Sequence, residues 1–133
     1  MKQTLKKYSI LVIDDDTTLV QVLNDKLKRE GFSVFEAFDG VQGLAQSLKH
    51  RPDLILLDIL MPVMDGLTMM NKLREENEWG KKVPIIILSN LSPDEEKMMH
   101  TINTALPAYY LVKSNWSLDE VVNKIRDTLE SIR

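Results

Sequence analysis

The sequence has no cysteine, which removes disulfides, thiolate nucleophiles and cysteine-based metal sites together. Glycine and proline are sparse, five of each in 133 residues, and no Gly/Ser-rich linker, repeat or low-complexity stretch breaks the chain. No apolar run approaches the ~18 residues that cross a bilayer. The start, Met1 to Lys7, is polar and leads straight into a predicted strand, so it lacks the apolar core of a secretory leader; a cytoplasmic setting is expected. Neither sign of charge dominates: 17 basic against 20 acidic residues, net −3, with the signs interspersed. That argues against a nucleic-acid footprint, which needs a basic patch or stripe. Histidine is scarce too, and His50 and His100, alone on predicted helices, read as surface residues. What remains is 44% hydrophobic and 28% charged, the make-up of one ordinary globular domain with a real core.

Four apolar runs stand out: Ile10–Ile13, Leu54–Leu57, Ile85–Leu88 and Tyr109–Val112. Each is nearly continuous rather than alternating, as strands covered on both faces of a parallel sheet are. A fifth run, Ser33–Ala37, carries a glutamate and suits a sheet edge. Helical stripes alternate with them. Leu19, Val20, Leu23 and Leu27 form one, stopped at Gly31. Val41, Leu44, Ala45 and Leu48 form a second; Leu67, Met70 and Leu73 form a third. A fourth opens with the capping box Ser92-Pro93-Asp94-Glu95 and runs through Met98, Met99 and Ile102. A fifth opens with Ser117-Leu118-Asp119-Glu120 and continues through Val121, Val122, Ile125 and Leu129. Strict strand–helix alternation implies right-handed crossovers and an α/β fold with helices on both faces of a parallel sheet. One domain over residues 1–133 is expected, its core about 9–130, with no output domain.

In such a sheet, ligands bind beyond the carboxyl ends of the strands. Asp14, Asp15 and Asp16 follow the first run, Asp58 the third, Ser89 the fourth and Lys113 the last. Each alone has an ordinary explanation, and Asp16 is expected mainly to cap a helix. Together they predict a site, because three carboxylates within reach of one another repel unless a cation joins them. Oxygen ligands with open positions suit Mg²⁺. Lys113 and Ser89 add a positive point charge and a hydroxyl donor, the groups that phosphoryl transfer uses.

These residues resemble the response-regulator receiver family. Ile10–Asp16 is similar to its first strand and acid pair, and Pro52–Asp58 with Met61-Pro62…Asp65-Gly66 to its phosphoacceptor strand and following loop. Pro84–Ser89 and Tyr110–Lys113 are similar to its last two motifs. The resemblance implies a flavodoxin-like (βα)5 fold, a doubly wound five-stranded parallel sheet of order 2-1-3-4-5. It implies that Asp58 takes a phosphoryl group from a phosphohistidine on a sensor histidine kinase or phosphotransfer protein. Asp15, Asp58 and the Leu60 carbonyl would contact Mg²⁺, with Asp14 acting mostly through water. Ser89 and Lys113 would bind phosphoryl oxygens, and Tyr110 would swing inward as Ser89 moves. A downstream protein would read the face of the fourth helix, fifth strand and fifth helix, and a homodimer could form on phosphorylation. The resemblance implies self-catalysed phosphorylation and dephosphorylation rather than turnover of a substrate.

Three positions depart from the family pattern. Lys113 is followed by Ser114 where proline, after a cis bond, is usual; a non-proline cis bond costs about 2.5–4 kcal/mol, which leaves the loop trans or strained. Asn90 replaces a small residue, and Leu106-Pro107-Ala108 an accustomed Gly-Ala. Trp116 is either an exposed contact residue or a packed cap on the fifth helix. Two other readings compete. Asp14-Asp15-Asp16-Thr17-Thr18 also resembles the haloacid-dehalogenase-like phosphatase signature, with Asp14 as nucleophile and Asp16 as acid, but that leaves Asp58 without a role. A receiver-like module that is never phosphorylated would not need the full acid, hydroxyl and lysine set.

Overall fold

The apolar runs become strands of one sheet in the computed structural model, which describes residues 7–90 and 109–131. The strands are β1 (Ser9–Ile13), β2 (Ser33–Ala37), β3 (Leu54–Leu57), β4 (Ile85–Ser89) and β5 (Tyr109–Val112). All pairs are parallel and the order is β2-β1-β3-β4-β5, as expected. The continuous runs occupy the centre: every residue of β3 and β4 is buried. The run carrying Glu36 lies at an edge and is mostly half-buried.

Successive strand residues point to opposite faces, so each face builds its own apolar layer. Ile10, Val12, Leu54, Leu56 and Ile86 pack with Val20, Leu23 and Leu27 of α1 (Thr17–Arg29) and with Val121, Val122, Ile125 and Leu129 of α5 (Leu118–Ser131). Leu11, Ile13, Ile55, Leu57, Ile85 and Ile87 pack with Met69, Met70 and Leu73 of α3 (Gly66–Glu76). Trp116 is partly buried against the first layer, so it packs as a cap rather than standing free.

Helix α2 (Gly40–His50) corrects the sequence reading. Leu44 and Leu48 pack partly buried against the second layer as expected, but Val41 and Ala45 face solvent, and the fully buried residues are Gly40, Gly43 and Ser47. A Cβ on Gly43 would lie 2.7 Å from Cδ1 of Ile13. The helix lies so close to the sheet that hydrogen takes the place expected for a side chain. His50 is half-buried, its ring stacked on Phe35 with centroids 4.0 Å apart. A short helix not anticipated from sequence, α4 (Glu78–Lys82), precedes β4. The Asn77 side chain caps it, accepting from Gly80 N at 2.7 Å, and Arg74 donates to the Gly80 and Val83 carbonyls at 2.9 and 2.6 Å. The helix expected from Ser92, with Leu91, Met98, Met99, His100 and Leu106–Ala108, lies outside the described residues. Among the described residues, no helix is long and apolar enough to cross a membrane.

The capping box before α5 forms as its spacing predicts. Ser117 N donates to Glu120 Oε1 at 2.9 Å, and Glu120 N donates to Ser117 Oγ at 3.2 Å. Ser117→Ala should therefore lower stability by about 1 kcal/mol, the usual cost of a lost N-cap, measured as a fall in the urea midpoint at unchanged slope.

Candidate functional site

The register of the sheet brings the polar strand ends to one edge. Ile13 is level with Leu57, Leu57 with Ile87, and Ser89 with Val112. The ladder continues one residue past two of these tips. Asp14 N donates to Ala37 O at 3.1 Å and Asp58 N to Ile13 O at 2.9 Å. Both aspartates are thus anchored by their backbones and buried, at 3% and 6% exposure.

Their side chains meet Lys113. Its Nζ lies 2.7 Å from Asp14 Oδ2 and 3.6 Å from Asp58 Oδ2. Asp14 Oδ1 accepts from Asp16 N at 2.9 Å, and Asp58 Oδ1 from Ile59 N at 2.9 Å. Ser89, the buried last residue of β4, hydrogen-bonds the Asp58 carboxyl. Asp15 is exposed, yet a carboxylate oxygen from each of Asp14, Asp15 and Asp58 lies within 4.8 Å of the others. Asp16 stands apart as the cap of α1, accepting from Leu19 N at 3.1 Å.

Charge in this cluster is unbalanced. Burial, and then the charge of Asp14, push the Asp58 carboxyl above the usual carboxylate range, against the opposing pull of Lys113, the Ile59 N–H and Ser89. Burial would lower Lys113, but its bond to Asp14 and the charges of Asp14, Asp58 and Asp16 outweigh that and raise it. Burial is the larger cause at Asp58, and at both groups the crowding of negative charge around a single amine adds to the upward shift. Oxygen-only donors, two of them buried, are the set that a hard divalent cation completes, so the residues present fit Mg²⁺.

Lys113 opens a single 3-10 turn, Lys113–Asn115, and its bond to Ser114 is trans, since the described residues include no cis peptide. Without proline after Lys113, nothing offsets the cost of the cis form. Leu60, two residues past Asp58, holds its side chain 62% exposed. Tyr110 is half-buried against the α3-side layer, level with Ile87 of β4. Asn90 is exposed just beyond Ser89.

Two glycines shape the site's rim. Gly66 N donates to Ile59 O at 2.8 Å, and a Cβ at Gly66 would sit 2.0 Å from the Asp58 carbonyl oxygen. Gly40 N, from α2, donates to Met64 O at 2.9 Å. Gly66 belongs to the Asp65-Gly66 motif that the sequence displays. Gly40 escaped notice, although its Asp39-Gly40 pair marks a helix start in the same way: each aspartate caps its helix, accepting from Gln42 N and Thr68 N at 2.8 Å.

Comparison with known proteins follows the same outline. Residues 10–126 match the family model described as the response regulator receiver domain. The DNA-binding dual master transcriptional regulator RpaA of Synechocystis sp. is 32% identical over 120 residues, covering 90% of this chain and 48% of that protein. The chain spans about half the length of that relative and of the probable transcriptional regulatory protein TcrX of Mycobacterium tuberculosis, of which it covers 49% at 32% identity over 91% of this chain. The crystal structure of a CheY-like receiver domain protein from Methanospirillum hungatei shares the fold, with a TM-score of 0.85 at 23% identity, covering 95% of this chain and 96% of that one. A chain in the crystal structure of a CheX–CheY–BeF3–Mg²⁺ complex from Borrelia burgdorferi matches with a TM-score of 0.78 at 25% identity, over 91% of this chain and 88% of that one.

Proposed function

Because this chain belongs to the response-regulator receiver domain family of two-component signalling, we propose that Asp58 accepts a phosphoryl group from a phosphohistidine. The donor is a sensor histidine kinase or phosphotransfer protein. The observation that carries this reading is the single cluster of buried Asp14 and Asp58, exposed Asp15, Ser89 and Lys113 at the strand tips. An Asp58 oxygen forms a bond to phosphorus as the phosphorus–nitrogen bond of the donor breaks, and the imidazole leaves with the electron pair. Little covalent work is asked of the protein; alignment and charge neutralisation suffice.

Asp14, Asp15, Asp58 and the Leu60 carbonyl would hold Mg²⁺, which when bound supplies positive charge to the phosphoryl oxygens. Lys113, freed from part of its attraction to Asp58, binds a phosphoryl oxygen, and Ser89 donates its hydroxyl to another. Adding roughly two negative charges beside Lys113 can bias a two-state loop; Ser89 and Tyr110 are the proposed moving parts. The chain acts as one receiver domain and is not a turnover enzyme. Its output face includes β5 and α5, with the segment from Ser92, and a phosphorylation-dependent homodimer is one form that output takes. This domain is proposed to make no direct nucleic-acid contact and to work in the cytoplasm.

Incubation with acetyl phosphate and Mg²⁺ should add the mass of one phosphoryl group, about 80 Da, to the intact protein, and a chelator should prevent it. A mass unchanged under both conditions overturns the proposal. Leu60 also sets the lifetime of that state. Its side chain beside the acceptor has no polar atom to orient an attacking water. Leu60→Asn should release phosphate faster, by roughly tenfold, short of the ~10²–10⁴-fold of a fully positioned proton-transfer group. A timed release assay with equal or slower loss would refute this.

A further inference from the structure

The loop between β3 and α3 carries Leu60, and its backbone holds a conformation that its own sequence resists. Val63 has φ +70°, where a β-branched residue is sterically strained. Met64 N donates to Pro62 O at 2.7 Å, closing a tight three-residue turn about Val63. The Val63 side chain gives nothing back to the fold, being 81% exposed. Strain of this kind persists only where surrounding structure over-determines it.

Two further backbone bonds grip the loop. Gly66 N donates to Ile59 O at 2.8 Å and closes its base. Gly40 N, at the first residue of α2, donates to Met64 O at 2.9 Å and reaches the loop from a separate element. An amide at a helix start has no acceptor within its own helix, so Met64 O is what satisfies Gly40. The approach leaves no room for a side chain. A Cβ at Gly40 would lie 2.4 Å from Met64 O and 2.8 Å from both Met64 Cβ and Cγ. The helix start is itself fixed, since Asp39 Oδ1 accepts from Gln42 N at 2.8 Å.

We propose that Gly40 is a positioning residue for the divalent cation: the start of α2 clamps the strained Leu60–Met64 loop in the form the cation needs. This rests on the reading of Asp14, Asp15, Asp58 and Leu60 as the cation site. Cation binding and the Gly40–Met64 bond then strengthen each other, because coupling between two sites is reciprocal.

The wild-type chain tests this directly. Saturating Mg²⁺ should slow hydrogen exchange of the Gly40 amide by roughly fivefold or more, at the lower end of ordinary coupling strengths. The Gly43 amide, which donates to Asp39 O at 2.9 Å in the same helix, should change far less. Gly40→Ala should weaken Mg²⁺ affinity, read by calorimetric titration below its melting temperature, by a similar factor. A merely structural glycine would lower the melting temperature and leave that affinity alone. If the alanine variant does not fold, the wild-type exchange measurement decides. Mg²⁺ binding with unchanged Gly40 exchange, or with equal affinity in a folded Gly40→Ala chain, overturns this inference and leaves the cation site standing. A wild-type chain that binds no Mg²⁺ overturns both.

Discussion

An Asp58→Asn chain takes up no phosphoryl group from acetyl phosphate and, in the absence of Mg²⁺, withstands more urea than the wild type at neutral pH. The first outcome is a complete loss, because an amide oxygen cannot form the acyl phosphate and, among the described residues, no other carboxylate holds the same place between Ser89 and Lys113. The second follows from charge. Burial, with the charge of Asp14 added, raises the Asp58 carboxyl in the folded state above its ordinary value. In acid, below the ordinary carboxylate range, the group is protonated in both states and costs the fold nothing. As pH rises through the raised folded value, the unfolded chain gives up its proton more readily, and stability falls to a plateau. The advantage of the asparagine variant is therefore present at neutral pH and disappears as pH falls below the ordinary range. Mg²⁺ at the proposed site should reverse the ranking, since an ion that binds the folded wild type more tightly than the variant stabilises it by mass action. Intact mass and urea midpoints with chelator, at neutral pH and near pH 3, check both parts. A variant that still gains mass, or is the less stable one at neutral pH without Mg²⁺, defeats the argument.

The convergence on Asp58 was legible because it depends on few things. Continuous apolar runs identify central parallel strands whatever surrounds them, and the residue after each run lands on the same sheet edge. The observed register, Ile13 beside Leu57 and Ser89 beside Val112, then needed only the strand order. Features set by close approach were hidden. The inward face of α2 is built on Gly40, Gly43 and Ser47, and a reading that follows apolar side chains finds the partly buried Leu44 and Leu48 but adds the exposed Val41 and Ala45. The five residues of α4 are too few to show a period, and the helix is held by Arg74 and Asn77 rather than by an apolar stripe. At Lys113 the sequence left two backbone forms open; the cost of a cis bond before serine favours the trans form found. The capping box before α5 is the opposite case. Ser117 and Glu120 act within one helical turn, so short-range spacing sufficed to place it.

Gly66→Ala should be the most damaging single methyl in the described chain, with a loss at or above about 3 kcal/mol, the upper end for overpacking. The added carbon would sit 2.0 Å from the Asp58 carbonyl oxygen and 3.0 Å from both Asp58 C and Ile59 Cα. All three are backbone atoms, so no rotamer change relieves the clash. Nor can the two segments part freely. Gly66 N is bound to Ile59 O at 2.8 Å, and Asp58 N is tied to the end of β1 through Ile13 O at 2.9 Å. The strain therefore passes straight into Asp58, the proposed phosphoacceptor. Against a typical total of about 5–15 kcal/mol, it removes a large share of the stability. Gly31 offers the control. Its φ of +96° demands glycine for conformation, yet a Cβ there meets nothing within 4 Å. Gly31→Ala should cost only the left-handed strain, about 1–2 kcal/mol, and leave phosphoryl uptake unchanged. Gly66→Ala should lower both the urea midpoint and, at temperatures where it remains folded, the rate of phosphorylation by acetyl phosphate. Equal losses in the two variants would mean that backbone freedom, rather than space beside Asp58, is what Gly66 supplies.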